Sequence, residues 1–210
     1  MTTHLPSRSR MNYPETVAVS APNQATVAFV EGLAPRPQVV AEIGVYRGHT
    51  SRELLRLLPA DGQLHLFDFA DTVDRVTAEL DDGRVTGHGN SQRTLDSYNW
   101  SLMRVLERHH EPIYDYVLID GAHTWVHDGL AFLLVDRLLK AGGHVDFDDY
   151  SWTLAKSPSL NPDAFPKTAE WYTDEQIGTR QVERVVELLV RRDDRYVEVV
   201  DNRIFRKERA

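Results

Sequence analysis

The sequence predicts an α/β fold, in which a mostly parallel sheet has helices on both faces and an antiparallel hairpin at its edge. Short apolar runs typical of buried strands alternate with segments whose apolar residues recur at helical spacing. The last two strand-like runs are separated only by the polar pair Asp201-Asn202, which indicates a hairpin. We therefore expect seven strands, five parallel ones followed by the hairpin.

Composition limits the class of protein. With 210 residues, 41% hydrophobic and 27% charged, the chain is expected to form one domain over residues 21–210, after a flexible tail at residues 1–20. A net charge of -8 disfavours nucleic acid as a partner, and the lack of cysteine excludes disulfides and thiolate chemistry. No apolar run has the roughly 18 residues needed to span a membrane. A cytoplasmic protein is the simplest expectation.

The elements are expected to follow one another in regular order. Five strands are predicted at residues 39–43, 64–68, 84–88, 114–120 and 144–148, and the hairpin at 196–206. Ser20-Ala21-Pro22 is typical of a first helix start, and Leu54, Leu55, Leu57 and Leu58 give the next helix its core side. The third helix is predicted around residues 71–80. A fourth would follow a cap at Gly89-Asn90-Ser91, with Leu95 and Tyr98 on its apolar face. The last two helices are predicted around Leu130 to Leu138, ending at residues 140–143, and around Val182 to Leu189.

Residues 151–179 break this alternation. Three prolines and several aromatic residues, among them Trp152, Trp171 and Tyr172, occur in the stretch. A loop of this length in a compact domain is more often functional than passive. We predict a lid-like insertion there, although ordinary packing of these aromatics onto the sheet edge is equally compatible with the sequence.

The stretch Val39 to Thr50 predicts a ligand site. An apolar strand passes through Glu42 into a turn with Gly44 and Gly48, and then into a helix. The glycine spacing is not that of the dinucleotide fingerprint, and the loop has too few glycines and no lysine for phosphate binding. Carboxylates at Glu42 and Asp68 suit an ammonium group and ribose hydroxyls instead. The alternative is that the glycines only permit the turn.

Four motifs in order resemble one family. They are Glu42–Gly48, Phe67-Asp68, Leu118–His123 and Gly142-Gly143 with Asp148–Tyr150. This order is similar to that of class I S-adenosylmethionine-dependent methyltransferases, which implies a Rossmann-like seven-stranded sheet. More narrowly, the chain resembles the metal-assisted O-methyltransferases of macrolide-sugar (macrocin) and aminocoumarin biosynthesis.

The resemblance implies S-adenosyl-L-methionine as cofactor and assigns its contacts. Glu42 and the loop of Gly44, Tyr46 and Gly48 would hold the methionine part, and Asp68 the ribose hydroxyls. Asn90 and Ser91 fall where the adenine is usually contacted. Thr50 and Asp120 complete the expected cofactor-binding residues.

Three carboxylates predict a metal site. Asp120, Asp148 and Asp149 follow neighbouring strands, and they would repel one another unless a positive charge lay among them. A hard divalent cation, most simply Mg²⁺, prefers such oxygen ligands, and the resemblance points to the same three residues. Solvated acids at the sheet edge, or Asp149 as a cap, are the alternatives.

His123 is the predicted general base. It lies three residues after Asp120, and its imidazole titrates near neutral pH. Catechol-type relatives have a lysine at the matching position, so the sequence departs from them here. A metal-ligand role and a pocket-wall role for His123 stay open. A zinc site with His127 is disfavoured for lack of its motif, and the His144-x-Asp146 pair of iron oxygenases is expected to face helices.

The sequence therefore predicts methyl transfer to a hydroxyl of a small molecule, such as a sugar, polyketide or other secondary metabolite. Asp120 and His123 would be the catalytic residues, and Mg²⁺ would assist. The alternatives are a metal-independent N- or O-methyltransferase, a non-catalytic S-adenosylmethionine-binding module and a metal oxygenase. Whether the chain forms a homo-oligomer is open.

Overall fold

The computed structural model describes residues 21–93 and 95–210. Its sheet has seven strands: β1 Val39–Ile43, β2 Gln63–Phe69, β3 Val85–Asn90, β4 Tyr114–Ile119, β5 Leu139–Phe147, β6 Tyr196–Val200 and β7 Ile204–Lys207. The order is β3-β2-β1-β4-β5-β7-β6, and β7 is antiparallel to both β5 and β6. The predicted fold class is confirmed. The predicted tail at residues 1–20 lies outside the described residues.

Two layers of helices cover the sheet. The helices are α1 Gln24–Gly32, α2 His49–Leu57, α3 Ala70–Leu80, α4 Tyr98–Arg108, α5 Trp125–Leu138, α6 Lys167–Trp171, α7 Asp174–Gly178 and α8 Gln181–Val185, which continues as a π-helical turn over Val186–Val190. One core lies between the sheet and α1, α2 and α3, and the other between the sheet and α4, α5 and α8. In the described part of the chain, no helix is long and apolar enough to cross a membrane.

The start of α4 corrects the sequence-based boundary. The helix begins at Tyr98 with Ser97 as its cap, whereas Gly89 and Asn90 belong to β3. Gly89 pairs with Asp68 in the sheet, and a Cβ there would lie 2.7 Å from the Cα of Ala70. Close strand–helix packing, and not capping, therefore requires this glycine. Leu95, predicted on the apolar face, precedes the helix and is 99% exposed.

The junction of α5 and β5 was also predicted wrongly. Residues 140–143 do not end the helix, because β5 already begins at Leu139, which pairs with Tyr114 of β4. The pairing then shifts to Tyr116 with His144, and Gly142 has φ +84° within this irregularity. A glycine at positive φ is a common device of β-bulges. Leu130 lies within α5, as predicted, and is 47% exposed.

Other boundaries agree more closely. α1 begins at Gln24, later than the predicted start at Ser20-Ala21-Pro22. Its cap is Asn23, whose side chain accepts a hydrogen bond from the Thr26 amide. The four leucines predicted on the core side of the second helix are all buried, although Leu58 lies just past its end. Residues 151–179 are not an open loop, since they contain a 3₁₀ turn at Leu154–Lys156 and the short helices α6 and α7.

Candidate active site

The predicted acidic residues meet at one edge of the sheet. β1 and β4 are neighbours at the point where the strand order reverses, which is where ligands bind in such sheets. The backbone hydrogen bonds between neighbouring strands continue past the strand ends. Asp120 N donates to Ile43 O (2.8 Å), and Asp148 N donates to Ile119 O (3.1 Å). Asp68 lies near the end of the adjacent strand β2. The structure therefore brings these carboxylates to the same edge of the sheet as Glu42.

The loop after β1 depends on two glycines. Gly44 has φ +91°, and a Cβ there would lie 1.8 Å from the carbonyl oxygen of Asp120. Gly48 has φ +73° at the cap of α2, where a Cβ would lie 2.5 Å from Val76 Cγ1. Tyr46 between them also has positive φ (49°), with a side chain directed outward and 58% exposed. The loop therefore passes close beside β4, and backbone strain is concentrated at this edge.

Gly44→Ala is expected to destabilise the fold strongly, by about 3 kcal/mol or more, because backbone must move to accept the methyl group and φ is positive. Gly32→Ala is the matched control, since nothing lies within 4 Å of the position that its methyl group would occupy. Urea unfolding of both variants measures the difference. A Gly44→Ala variant as stable as the wild type would show that the loop is not held against β4.

Glu42 is buried beside this loop. Its side chain accepts a hydrogen bond from Ser51 Oγ at 2.5 Å, and Ser51 lies in the first turn of α2. Burial, with the nearby Asp68 carboxylate, raises the pKa of Glu42 to about 8, although the Ser51 bond acts in the opposite direction. A buried carboxyl that holds a proton at neutral pH would become ionised if a cation bound beside it.

Asp68 holds the loop. Its carboxylate accepts hydrogen bonds from the backbone amides of Val45 (2.7 Å), Tyr46 (3.0 Å) and Phe69 (2.6 Å). A carboxylate has about four acceptor positions, so capacity for a further donor remains. The sequence indicated a ligand role for Asp68 but not this structural role.

The remaining predicted cofactor residues differ in their environment. Asn90 is buried, and its Oδ1 atom has no hydrogen-bond partner among the described residues. Ser91 is exposed, and its amide donates to Asp96 Oδ2 at 2.7 Å. Thr50 Oγ1 accepts a hydrogen bond from the backbone amide of Asn23 (2.9 Å), so it joins α1 to α2. Asn90 is the one of these three with an unused buried acceptor.

The carboxylates around Asp120 repel one another. Burial first, and then Asp148, Glu42 and Asp149, raise the pKa of Asp120 well above its ordinary value. Burial also raises the pKa of Asp149, a residue at φ +57°. Ionising this group of acids is unfavourable unless positive charge is placed among them.

Arg203 supplies part of that positive charge, although no sequence motif indicated it. Its guanidinium contacts Asp148 Oδ1 (3.1 Å) and Asp146 Oδ1 (2.9 Å), and it donates to Asn23 Oδ1 (2.8 Å). Asp146 is fully buried and also accepts hydrogen bonds from Thr26 and Tyr116, both at 2.6 Å. As expected, Asp146 faces a helix. The sequence did contain one indication of Arg203, because an acidic residue such as Asp146 inside a buried strand requires a cation near it.

His123 lies between two of the acids. Its Nε2 atom is 3.5 Å from Asp149 Oδ2 and 3.8 Å from Asp120 Oδ1, and its ring centroid is 5.3 Å from that of Trp152. The residue has φ +53°, and its Nδ1 atom is buried without a hydrogen-bond partner in the described residues. The imidazole is thus held directly beside two carboxylates.

A buried pair below His123 supports its loop. Tyr98 Oη donates to Asp128 Oδ1 at 2.6 Å and accepts from the amide of Ala122 at 3.3 Å. A Cβ at Gly121 would lie 2.7 Å from Tyr98 Oη, so the loop rests directly on the phenol. These residues were missed because only the folded chain brings α4 under the loop.

The donor chemistry fits a hard divalent cation, because Asp120, Asp148 and Asp149 offer carboxylate oxygens whose mutual repulsion a cation would relieve. Within residues 21–93 and 95–210, however, no group of three or more His, Asp or Glu side chains is arranged to hold a metal ion. The carboxylate of Asp148 contacts the guanidinium of Arg203 at 3.1 Å. The predicted metal site remains a prediction.

Comparison with known proteins decides the family. A family model described as a methyltransferase domain matches residues 41–150, just over half of the chain. The chain belongs to this methyltransferase family. The matched region runs from β1 to Tyr150 and so includes every predicted site residue. No functionally curated protein shows significant sequence similarity to this methyltransferase.

Solved structures share its fold. An O-methyltransferase from Bacillus cereus in complex with SAH has TM-score 0.57 at 16% identity, over 87% of this chain and 81% of that one. A putative O-methyltransferase from Klebsiella pneumoniae has TM-score 0.57 at 19% identity, over 94% and 83%. The MycE methyltransferase of mycinamycin biosynthesis, in complex with Mg and SAH, has TM-score 0.52 at 20% identity, over 81% and 45%.

Proposed function

We propose that this methyltransferase transfers the methyl group of S-adenosylmethionine to a hydroxyl of a small molecule. The observation that carries the proposal is the position of His123, between Asp120 and Asp149 and one strand away from the loop after β1. The SAH bound to the Bacillus cereus enzyme and to MycE supports this choice of cofactor. Sugars, polyketides and other secondary metabolites are the proposed acceptors, in a cytoplasmic setting.

Each residue has a role in the proposed reaction. Glu42 binds the ammonium group of the cofactor, Asp68 accepts from its ribose hydroxyls, and Asn90 Oδ1 accepts from the adenine amine. His123 Nε2 takes the proton of the acceptor hydroxyl while the hydroxyl oxygen attacks the methyl carbon. The carbon–sulfur bond breaks, its electron pair returns to sulfur, and SAH leaves. Asp149 and Asp120 stabilise the imidazolium that forms.

Asp120, Asp148 and Asp149 would hold a divalent cation, which when bound lowers the pKa of a coordinated hydroxyl and orients it. The Mg in MycE supports this part of the proposal. The second candidate is metal-independent methyl transfer, which is favoured by the contact of Arg203 with Asp148. In that case Arg203 is the only positively charged side chain among the described residues that forms an ion pair with Asp148.

Labelled-methyl transfer to a panel of sugar, polyketide, catechol and amino-acid-derived hydroxyls tests the proposal. Turnover with Mg²⁺ that is lost in EDTA and restored by added metal is the expected result. Undiminished turnover in EDTA would select the metal-independent candidate. Cofactor binding without transfer to any acceptor would favour a non-catalytic module, and iron- and oxygen-dependent turnover without cofactor affinity would favour an oxygenase.

Asp149→Asn is expected to lower metal-stimulated turnover by at least about tenfold and to leave SAH affinity nearly unchanged. Asparagine tolerates the positive φ at this position, so the backbone is preserved. Asp61→Asn, in an exposed turn, is the control. Steady-state kinetics and calorimetry separate the two effects. Unchanged metal-stimulated turnover would remove Asp149 from the proposed site.

A further inference from the structure

Two buried polar atoms near the start of α5 have no hydrogen-bond partner among the described residues. One is Nδ1 of His123, the ring nitrogen that does not face Asp120 and Asp149. The other is Oδ2 of Asp128, in the first turn of α5. A buried polar group without a partner lowers stability. Each atom is of a type that the other can satisfy, because a ring N–H donates and a carboxylate oxygen accepts.

The carboxyl group of Asp128 is held next to His123. Only 1% of the residue is exposed, and its Oδ1 atom accepts a hydrogen bond from Tyr98 Oη at 2.6 Å, which leaves Oδ2 for another donor. Burial raises the pKa of Asp128, and a positive charge on His123 has the largest opposing effect, ahead of the Tyr98 hydrogen bond. A charge has so large an effect only over a short distance.

The opposite side of the ring determines what His123 can do. A neutral imidazole carries one proton, on either Nδ1 or Nε2. Nε2 lies 3.5 Å from Asp149 Oδ2 and 3.8 Å from Asp120 Oδ1, and both distances exceed the range of about 2.7 to 3.2 Å for an N–H···O hydrogen bond. These two carboxylates therefore do not hold the proton on Nε2. A base that acts through Nε2 needs the proton on Nδ1.

We infer that Asp128 is a positioning residue for His123. Its Oδ2 atom accepts the Nδ1 proton, directly or across one water molecule, and so keeps the imidazole in the tautomer whose Nε2 lone pair can take a proton. Asp128 itself touches neither the acceptor nor the cofactor. The use of Nε2 as a base rests on the proposed function, whereas the tautomer is a property of the free protein.

Ring ¹⁵N chemical shifts of the full chain, measured at alkaline pH where imidazole is neutral, test this tautomer. The signals of His123 are those that disappear in His123→Asn. We expect a proton on Nδ1 in the wild type. In Asp128→Asn the amide NH₂ replaces Oδ2 and donates to Nδ1, so the ring proton should move to Nε2. Turnover should then fall by at least about 10²-fold, with SAH affinity unchanged.

Asp136→Asn is the matched control, because it makes the same change at another buried aspartate of α5. Asp136 contacts Arg195 and Tyr196 and not the loop of His123. It should keep the tautomer of His123 and the wild-type turnover, and circular dichroism checks that both variants are folded.

A proton on Nε2 in the wild type would overturn the role of Asp128, whether or not Asp128→Asn folds. Wild-type tautomer or wild-type turnover in a folded Asp128→Asn would also overturn it, as would an equal change of tautomer in Asp136→Asn. If the wild type methylated no acceptor while Asp128→Asn still moved the ring proton, the proposed function would fail and the contact between Asp128 and His123 would stand.

Discussion

The variant His123→Asn is expected to lower methyl-transfer turnover by about 10² to 10⁴-fold. The imidazole Nε2 is the basic nitrogen nearest to Asp120 and Asp149 in the described site, at 3.8 and 3.5 Å. Asparagine accepts the positive φ of this position, so the loop keeps its shape. An amide cannot take the proton, and the loss should therefore appear in kcat with little change in cofactor affinity.

His127→Asn is the matched control for this variant. His127 lies in the first turn of α5, and its Nδ1 atom contacts Thr124 Oγ1 at 2.8 Å rather than Asp120 or Asp149. Its turnover should stay close to that of the wild type, and its kcat should keep the wild-type pH dependence. Wild-type turnover in His123→Asn at every pH would show that His123 is not the base and that it only lines the pocket.

Glu42→Gln is expected to weaken SAH binding by about tenfold or more, because the ammonium group loses an anionic partner in a buried site. The wild-type residue must first lose its proton, since burial raises its pKa to about 8. Affinity should thus increase as the pH rises toward 8, with release of a proton from Glu42. Calorimetry in buffers of different ionisation enthalpy measures both quantities.

The same carboxyl makes the stability of the free protein depend on pH. Between about 4.5 and about 8 the folded chain keeps a proton on Glu42 that the unfolded chain has lost. The stabilising contribution is complete below 4.5 and disappears as the pH rises through 8, so the free energy of unfolding falls over this range. Glu42→Gln should flatten this dependence.

Glu53→Gln on the exposed side of α2 controls for a change of charge near the loop, since Glu53 pairs only with Arg56 among the residues that the structure describes. It should preserve both SAH affinity and the pH dependence of unfolding. If Glu42→Gln bound SAH as tightly as the wild type and released as many protons, Glu42 would have no contact with the ammonium group.

The sheet could be predicted from sequence because buried strands and amphipathic helices have different periods. The acidic residues could be placed at one edge because parallel strands end together there. The start of α4 could not be predicted, because Gly89 is required by packing against Ala70, a contact between segments that only the fold brings together. Likewise, the bulge in β5 placed residues 140–143 in the sheet, although their glycines resembled a helix end.

Within the site, the candidate residues could be identified from their positions at the ends of predicted strands. The side chains that form hydrogen bonds or ion pairs with the buried acids could not. Ser51, Tyr98 and Arg203 come from three different elements and contact Glu42, Asp128 and Asp148 respectively. Such contacts depend on side-chain geometry across long sequence separations. The buried acids at Asp128 and Asp146 were the signals that partners were needed, since a buried carboxyl requires hydrogen bonds or a cation.

A co-crystal structure with SAH and a hydroxylated acceptor tests the central claim most directly. We expect the SAH amino group at Glu42, its ribose hydroxyls at Asp68 and its adenine at Asn90, with the acceptor hydroxyl within hydrogen-bond reach of His123 Nε2. An SAH molecule bound away from the loop of residues 44–48, or an acceptor whose hydroxyl does not reach His123, would contradict it.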